Sequence, residues 1–144
     1  MKLSSEIMRL IKAARLARQS AYCPYSRYPV GAAVLTESGR IFSGCNVENA
    51  SYGLSICAER AAVFNAVAGR QIVIKAVCIA AISPKPCGAC RQVLFEFSTR
   101  HTAIYLVDEN LDTRRPRVTR GAVYKMLPAP FDPLACGLLK DKKR

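Results

Sequence analysis

The chain has 144 residues, 51% of them hydrophobic, with seven cysteines and a formal net charge of +12. That length suits one domain, residues 1–144, with a continuous core and is short for two; no stretch approaches the roughly 20 apolar residues of a membrane span, so no membrane association is expected. An odd cysteine count without an apolar secretory leader argues against a disulfide framework and for metal-binding or catalytic thiols in a cytoplasmic protein.

Leu3, Ile7, Leu10, Ile11, Ala14 and Ala17 recur at three- and four-residue steps with Lys12, Arg15 and Arg18 between them. This is the pattern of an amphipathic helix of about five turns, placed within residues 1–22 and ending before Pro24. A basic amphipathic N-terminus also suits a mitochondrial address, but such segments are poor in acids, rich in serine and followed by a cleavage region, so a packed helix is preferred. Val30–Leu35 and Arg40–Cys45 read as antiparallel strands joined by Thr36-Glu37-Ser38-Gly39, in which Gly39 supplies a positive φ. Ser55 is placed as the cap of a helix running from about Ile56 to Gly69.

Ile72–Ala81 is a nearly continuous apolar run, as expected of a strand covered on both faces. Pro84 and Pro86 break it, a second helix starts at Cys87 and continues through Val93, Leu94 and Phe97, and Ala103–Val107 forms another buried strand. Residues 109–125, with Arg114, Arg115, Arg117 and Arg120 around Pro116, read as a basic loop followed by a short strand. Strands alternating with helices predict an α/β fold whose sheet has parallel neighbours and helices on its faces. Lys140–Arg144 is a basic tail.

The charge invites a nucleic-acid partner, so its distribution matters. Residues 1–30 carry six Lys/Arg against one acid and residues 111–144 nine against three, whereas residues 31–110 carry seven against six. The near-neutral middle holds the candidate chemistry; the basic excess flanks it in sequence and is read as a solvated surface.

Cys87 and Cys90, three residues apart at a helix start, can turn both sulfurs toward one ion. Alone, the pair also fits a redox couple or half of a structural zinc site. Cys57, at the head of the other helix, adds a third soft ligand, and two helix N-termini meeting there favour thiolates. Three protein ligands leave a tetrahedral zinc one open position, the mark of a catalytic rather than a structural site. A sulfur-rich site is electron-rich, and Arg60 and Arg91 are candidates to balance its charge. Glu59, two residues after Cys57, is within reach of a water at the open position and is the candidate proton carrier, although a helical glutamate taken alone reads as a solubilising residue. His101, the only histidine, stands near a helix end among Ser98, Thr99 and Arg100 and reads as exposed or capping. Cys23, Cys45, Cys78 and Cys136 lack ligand spacing and read as structural.

Cys57-Ala58-Glu59-Arg60 with Pro86-Cys87-Gly88-Ala89-Cys90-Arg91-Gln92 resembles the signature of zinc nucleoside and nucleobase deaminases. Tyr25-Ser26-Arg27-Tyr28-Pro29-Val30-Gly31-Ala32-Ala33 and Gly44-Cys45-Asn46-Val47-Glu48-Asn49-Ala50 are similar to the small homotetrameric cytidine deaminases, a likeness that extends to Leu127-Pro128-Ala129-Pro130-Phe131. The resemblance implies a three-layer α-β-α fold with a mixed five-stranded central sheet and one Zn2+ per subunit on Cys57, Cys87 and Cys90. It implies a hydrolase of pyrimidine salvage that converts cytidine and deoxycytidine to uridine and deoxyuridine plus ammonia, with Glu59 as the catalytic group. Asn46 and Glu48 would then bind the ribose, Tyr28 would lie against the pyrimidine, backbone groups near Ala58 and Pro86 would hold the base edge, and Phe131 would come from a neighbouring subunit. Ala81-Ile82-Ser83-Pro84-Lys85 is shorter than the corresponding family loop.

Three other readings remain at this point: a deaminase of a modified nucleoside such as blasticidin S, a deaminase of cytosine in a polynucleotide, and a noncatalytic RNA-binding or scaffold protein with structural zinc. Asn46-Val47-Glu48-Asn49 argues against the first two, because a ribose held from both sides leaves no exit for flanking nucleotides. A structural zinc would call for a fourth protein ligand, and Glu59 would have no task there.

Overall fold

Period-two alternation along two neighbouring strands sets the architecture. In the computed structural model, which describes residues 3–110 and 116–140, β1 (Gly31–Thr36) and β3 (Ile74–Ala81) pair antiparallel at the centre of the sheet. Ala32 and Val34 with Val77 and Ile79 face one side, where Ala62, Val63 and Ala66 of α2 (Ala58–Ala68) and Leu94 of α3 (Gly88–Phe97) complete a core. Ala33 and Leu35 with Ala76, Cys78 and Ala80 face the other, against Ile7, Leu10 and Ala14 of α1 (Ser5–Arg18). Both faces of β3 are therefore dry from Ala76 onward, which is why its sequence is apolar apart from Lys75, an exposed residue near its start that pairs with Glu6. Burial pushes the Cys78 thiol up to about 12, as suits a cysteine that serves as a small hydrophobe.

The sheet order is β2-β1-β3-β4-β5, with β2 (Ile41–Cys45), β4 (Ser98–Asp108) and β5 (Arg117–Ala122) filling the outer places. β3 and β4 run parallel, joined through α3, and the other neighbours are antiparallel. The result is the expected α/β fold with a mixed five-stranded sheet between helical layers. Among the described residues no helix is long and apolar enough to cross a membrane.

α1 approaches the sheet closely because Gly31 has no side chain: a Cβ there would stand 2.1 Å from the Ala14 carbonyl oxygen and 2.3 Å from the Arg18 nitrogen. The helix is capped by Ser4, whose Oγ accepts the Ile7 N–H at 3.3 Å, and its 14 residues make it shorter than the five turns expected. The hairpin turn is as read from the sequence, with Gly39 at φ +80° and the Thr36 N–H donating to Arg40 O at 2.9 Å.

Three boundaries differ from expectation. Cys57, not Ser55, is the N-cap of α2, because the Ser55 hydroxyl is engaged in the preceding loop, where it accepts the Asn49 N–H at 3.0 Å. α3 starts one residue later than expected, with Cys87 as its N-cap. β4 starts at Ser98, five residues before the apolar run, because Ser98 pairs with Ile74 and the buried Thr102 hydroxyl donates to Ile74 O at 2.6 Å. The short strand expected near residue 120 is β5; Arg114 and Arg115 before it, residues 141–144 of the basic tail and residues 1–2 lie outside the described residues.

Candidate active site

Two helices begin on cysteine. Cys57 caps α2 and Cys87 caps α3, and Cys90 follows one turn into α3. Neither cap uses its side chain to bond the first-turn amides, so both sulfurs are available to other partners. The Cys57 and Cys87 sulfurs lie 4.0 Å apart, the Cys87 and Cys90 sulfurs 3.5 Å apart, and all three sit within 4.8 Å of one another. Tetrahedral zinc with Zn–S bonds of about 2.3 Å separates its sulfurs by roughly 3.8 Å, so this donor set fits that ion in element type, number and spacing. Among the described residues the cluster comprises these three donors alone. His101 is exposed elsewhere, donating its N–H to Thr99 Oγ1 at 3.2 Å.

The surrounding charges favour a thiolate on Cys57. Its pKa is pushed down to about 5, chiefly by hydrogen bonding with the Cys90 thiol and further by the Arg60 guanidinium, and the same pairing drives Cys90 upward. Arg60 Nη2 donates to Cys57 Sγ at 3.7 Å and to Ser55 O at 3.4 Å, so this cation is placed against a sulfur. Arg91 is placed differently: its Nε donates to Pro86 O at 2.9 Å and its Nη1 to Met126 O at 3.0 Å. Glu59 sits one helical position beyond Ala58 and is 5% exposed. Burial, its largest influence, together with the Cys57 charge pushes its carboxyl up to about 7, where both protonation states are accessible near neutrality.

A cleft of about 310 Å3 opens over this cluster, lined by Cys57, Ala58, Glu59 and Cys87 and, from the segment around β1 and β2, by Tyr28, Asn46 and Glu48. The Asn46 amide latches its own wall, with Oδ1 accepting the Val30 N–H at 2.8 Å and Nδ2 donating to Tyr28 O at 2.9 Å. One lone pair and one N–H of that amide are left to face a ligand. Glu48 accepts the N–H groups of Tyr25 at 2.9 Å and Ser26 at 3.1 Å, and a short bond from the Ser26 hydroxyl. These bonds, the hydroxyl first, hold its carboxyl below the usual range. The Tyr28 hydroxyl donates to Ile82 O at 2.5 Å, tying the aromatic wall to the loop that leads to Cys87.

The structure thus gathers the three cysteines, Glu59, Arg60, Ala58, Asn46, Glu48 and Tyr28 around one cleft. Phe131 does not line it: 64% exposed, it is held by its carbonyl, which accepts from Gln92 Nε2 at 2.8 Å. Ser26 and Lys85, polar residues without a site role in the sequence reading, also reach the cleft. Ser26 stands beside Arg27, whose φ of +54° turns the chain so that the serine amide and hydroxyl both meet Glu48; no glycine or asparagine flags that turn in the sequence.

An α-β-α layered fold that brings three zinc-fitting thiols at two helix N-termini against a buried glutamate is that of a zinc-dependent deaminase. The match to known proteins is as specific as the geometry, for residues 4–106 fit the model of the cytidine and deoxycytidylate deaminase zinc-binding region. The chain belongs to that family. It is 41% identical over 129 residues to a cytidine deaminase of Sporosarcina psychrophila, covering 88% of this chain and 91% of the relative. It is 46% identical over 126 residues to one from Halalkalibacterium halodurans, covering 85% and 91%. Its fold superposes on the crystal structure of cytidine deaminase from Burkholderia pseudomallei with a TM-score of 0.77 at 40% identity, over 90% of this chain and 100% of the other.

Proposed function

We propose that the protein is a zinc-dependent cytidine deaminase that hydrolyses free cytidine and deoxycytidine, consuming one water and releasing ammonia with uridine or deoxyuridine. The observation that carries this reading is Glu59, a buried carboxyl set beside three sulfurs and opening on a cleft of nucleoside size. Cys57, Cys87 and Cys90 hold one zinc ion per chain, which when bound is a Lewis acid that acidifies water and stabilises negative charge on oxygen.

The remaining work falls to the chain's own groups. Glu59 takes a proton from the attacking water and delivers it to ring N3 as the oxygen adds to C4. It then takes the remaining proton from the new C4 hydroxyl and gives it to the amine, which leaves as ammonia as the C4–N bond breaks and the C4 carbonyl forms. The backbone around Ala58 and Pro86 holds the base edge, and Tyr28, tethered to Ile82 O, forms an aromatic wall for the pyrimidine. The unspent donor and acceptor of Asn46 and the oriented carboxylate of Glu48 meet the ribose hydroxyls. Arg60, against Cys57, offsets the negative charge of three thiolates. In the assembled form we place the enzyme as a cytoplasmic homotetramer of pyrimidine salvage, in which the exposed Phe131 of each chain reaches a neighbour's cleft.

The test is to incubate purified, zinc-loaded protein with cytidine, deoxycytidine and a cytosine-bearing single-stranded oligonucleotide, following uracil formation and ammonia release. Turnover of the two nucleosides alone is the expected result. Comparable turnover of the oligonucleotide would make the basic surface a binding track, and no turnover of any substrate would refute the proposal.

A further inference from the structure

The first turns of α3 do more than present sulfur. Cys87 and Cys90 are followed at once by Arg91 and Gln92, and both of these side chains reach out of the helix to main-chain carbonyls. Arg91 uses two directions of its planar guanidinium: Nε holds Pro86 O at 2.9 Å, and Nη1 holds Met126 O at 3.0 Å. The Pro86 carbonyl belongs to the peptide that enters Cys87, so this bond fixes the turn from which that sulfur points. Met126 is partly buried against the core at the end of the short helical turn Val123–Met126, at the root of an arm that runs on to Phe131. Gln92 holds that arm at its far end, through Phe131 O at 2.8 Å. Pro128 and Pro130 within the arm have no N–H to donate, and side chains of α3 take up a carbonyl at each end of it.

We propose that Arg91 is a positioning residue that couples the metal half-site to the C-terminal arm: one guanidinium locks the Pro86–Cys87 turn to Met126, so that sulfur geometry and arm placement are set together. This rests on the reading of Cys57, Cys87 and Cys90 as a zinc site. The coupling is reciprocal by linkage: an anchored arm retains zinc more firmly, and bound zinc holds the arm more firmly in place. It separates Arg91 from Arg60, which acts on a sulfur directly. A pure charge at position 91 would serve equally well as lysine, whereas a lysine ammonium cannot reproduce two donors in fixed, divergent directions.

Zinc release to a colorimetric chelator and hydrogen exchange across residues 127–139 test the proposal together, on the zinc-loaded wild type, Arg91→Lys, Arg91→Gln and Gln92→Ala. Arg91→Lys and Arg91→Gln are expected to release zinc about tenfold faster or more, the range seen when a group supporting a metal ligand is removed, and to exchange faster along the arm. Gln92→Ala, which leaves the Pro86 bond intact, is expected to loosen the arm and to speed release by a smaller factor; it also serves if Arg91→Gln does not fold. Stripping zinc from the wild type is expected to raise arm exchange. Wild-type release from Arg91→Lys would overturn the proposal, as would faster release with unchanged arm exchange. A wild type that holds no zinc would overturn the underlying zinc reading instead, so the two failures are distinguishable.

Discussion

Glu59 and Glu48 line one cleft yet are driven in opposite directions along the pH scale. Burial lifts Glu59 to about 7, while the Ser26 hydroxyl and the Ser26 and Tyr25 amides hold Glu48 below the ordinary carboxylate range. One is thereby suited to carrying protons and the other to staying charged as a fixed acceptor. Glu59→Gln keeps the size of the side chain and removes the proton carrier; deamination is expected to fall by roughly 10²- to 10⁴-fold with zinc retained, and metal analysis beside a uridine assay checks both halves. Cys87→Ala is expected to do the reverse in cause, losing the metal first, and full zinc occupancy in that variant would refute the ligand set. For Glu48 the sign follows from its lowered folded value: it contributes stability above the unfolded pKa, and that contribution is lost as pH falls through the folded pKa. Ser26→Ala is therefore expected to raise the Glu48 pKa toward the ordinary value and to weaken the protein more at neutral pH than below the folded pKa of Glu48. Carboxyl NMR titration and denaturant unfolding at the two pH values measure this.

At the scale of elements, close backbone approach sets the tolerances. Gly31 lets α1 lie against β1, and Gly44 lets α2 lie against β2, where a Cβ would be 2.5 Å from the Ala62 nitrogen. Gly31→Ala must push α1 off the sheet face and is expected to cost about 1–3 kcal/mol, the usual range for overpacking, read as a shifted urea midpoint at unchanged zinc content. The elements legible in the sequence were those whose signal is local. The short apolar run of β1, the Gly39 turn and the nearly continuous apolar run of β3 each announce themselves within a few residues. The start of β4 did not, because Ser98–Thr102 are polar and become strand only through pairing with Ile74, a partner 24 residues away from Ser98. Ser55 looked like a cap because its type is right, and it is not one because Asn49 occupies its hydroxyl. In the site, the Cys57, Glu59, Cys87 and Cys90 positions were readable from spacing and resemblance. Ser26 was not, since its role depends on a left-handed arginine next to it, and Arg91 was noticed for its charge when its contacts are to carbonyls.

For the whole molecule, the exposed Phe131 is the residue through which the proposed assembly would tie one chain's activity to another's. If it completes a neighbour's cleft, Phe131→Ala and Glu59→Gln are each poorly active alone. Coexpressing the two then restores activity, because some clefts in the mixed assembly combine an intact Glu59 with an intact Phe131 from next door. Sedimentation of the mixture with a cytidine assay measures this, and a mixture no more active than its parts would place Phe131 outside catalysis.

Cys57 and Cys87 stand 30 positions apart, with all of α2 and β3 between them. An ion that bridges their sulfurs therefore ties off a loop of the chain as a cross-link would, and that loop contains the strand at the middle of the sheet. Closing a loop of that length costs the chain roughly 3–4 kcal/mol of entropy, and the ion's binding to the folded site offsets that cost. The same atom that makes the cleft reactive is thus a staple in the topology, and a chelator added to the folded enzyme should lower its melting temperature as well as silence it.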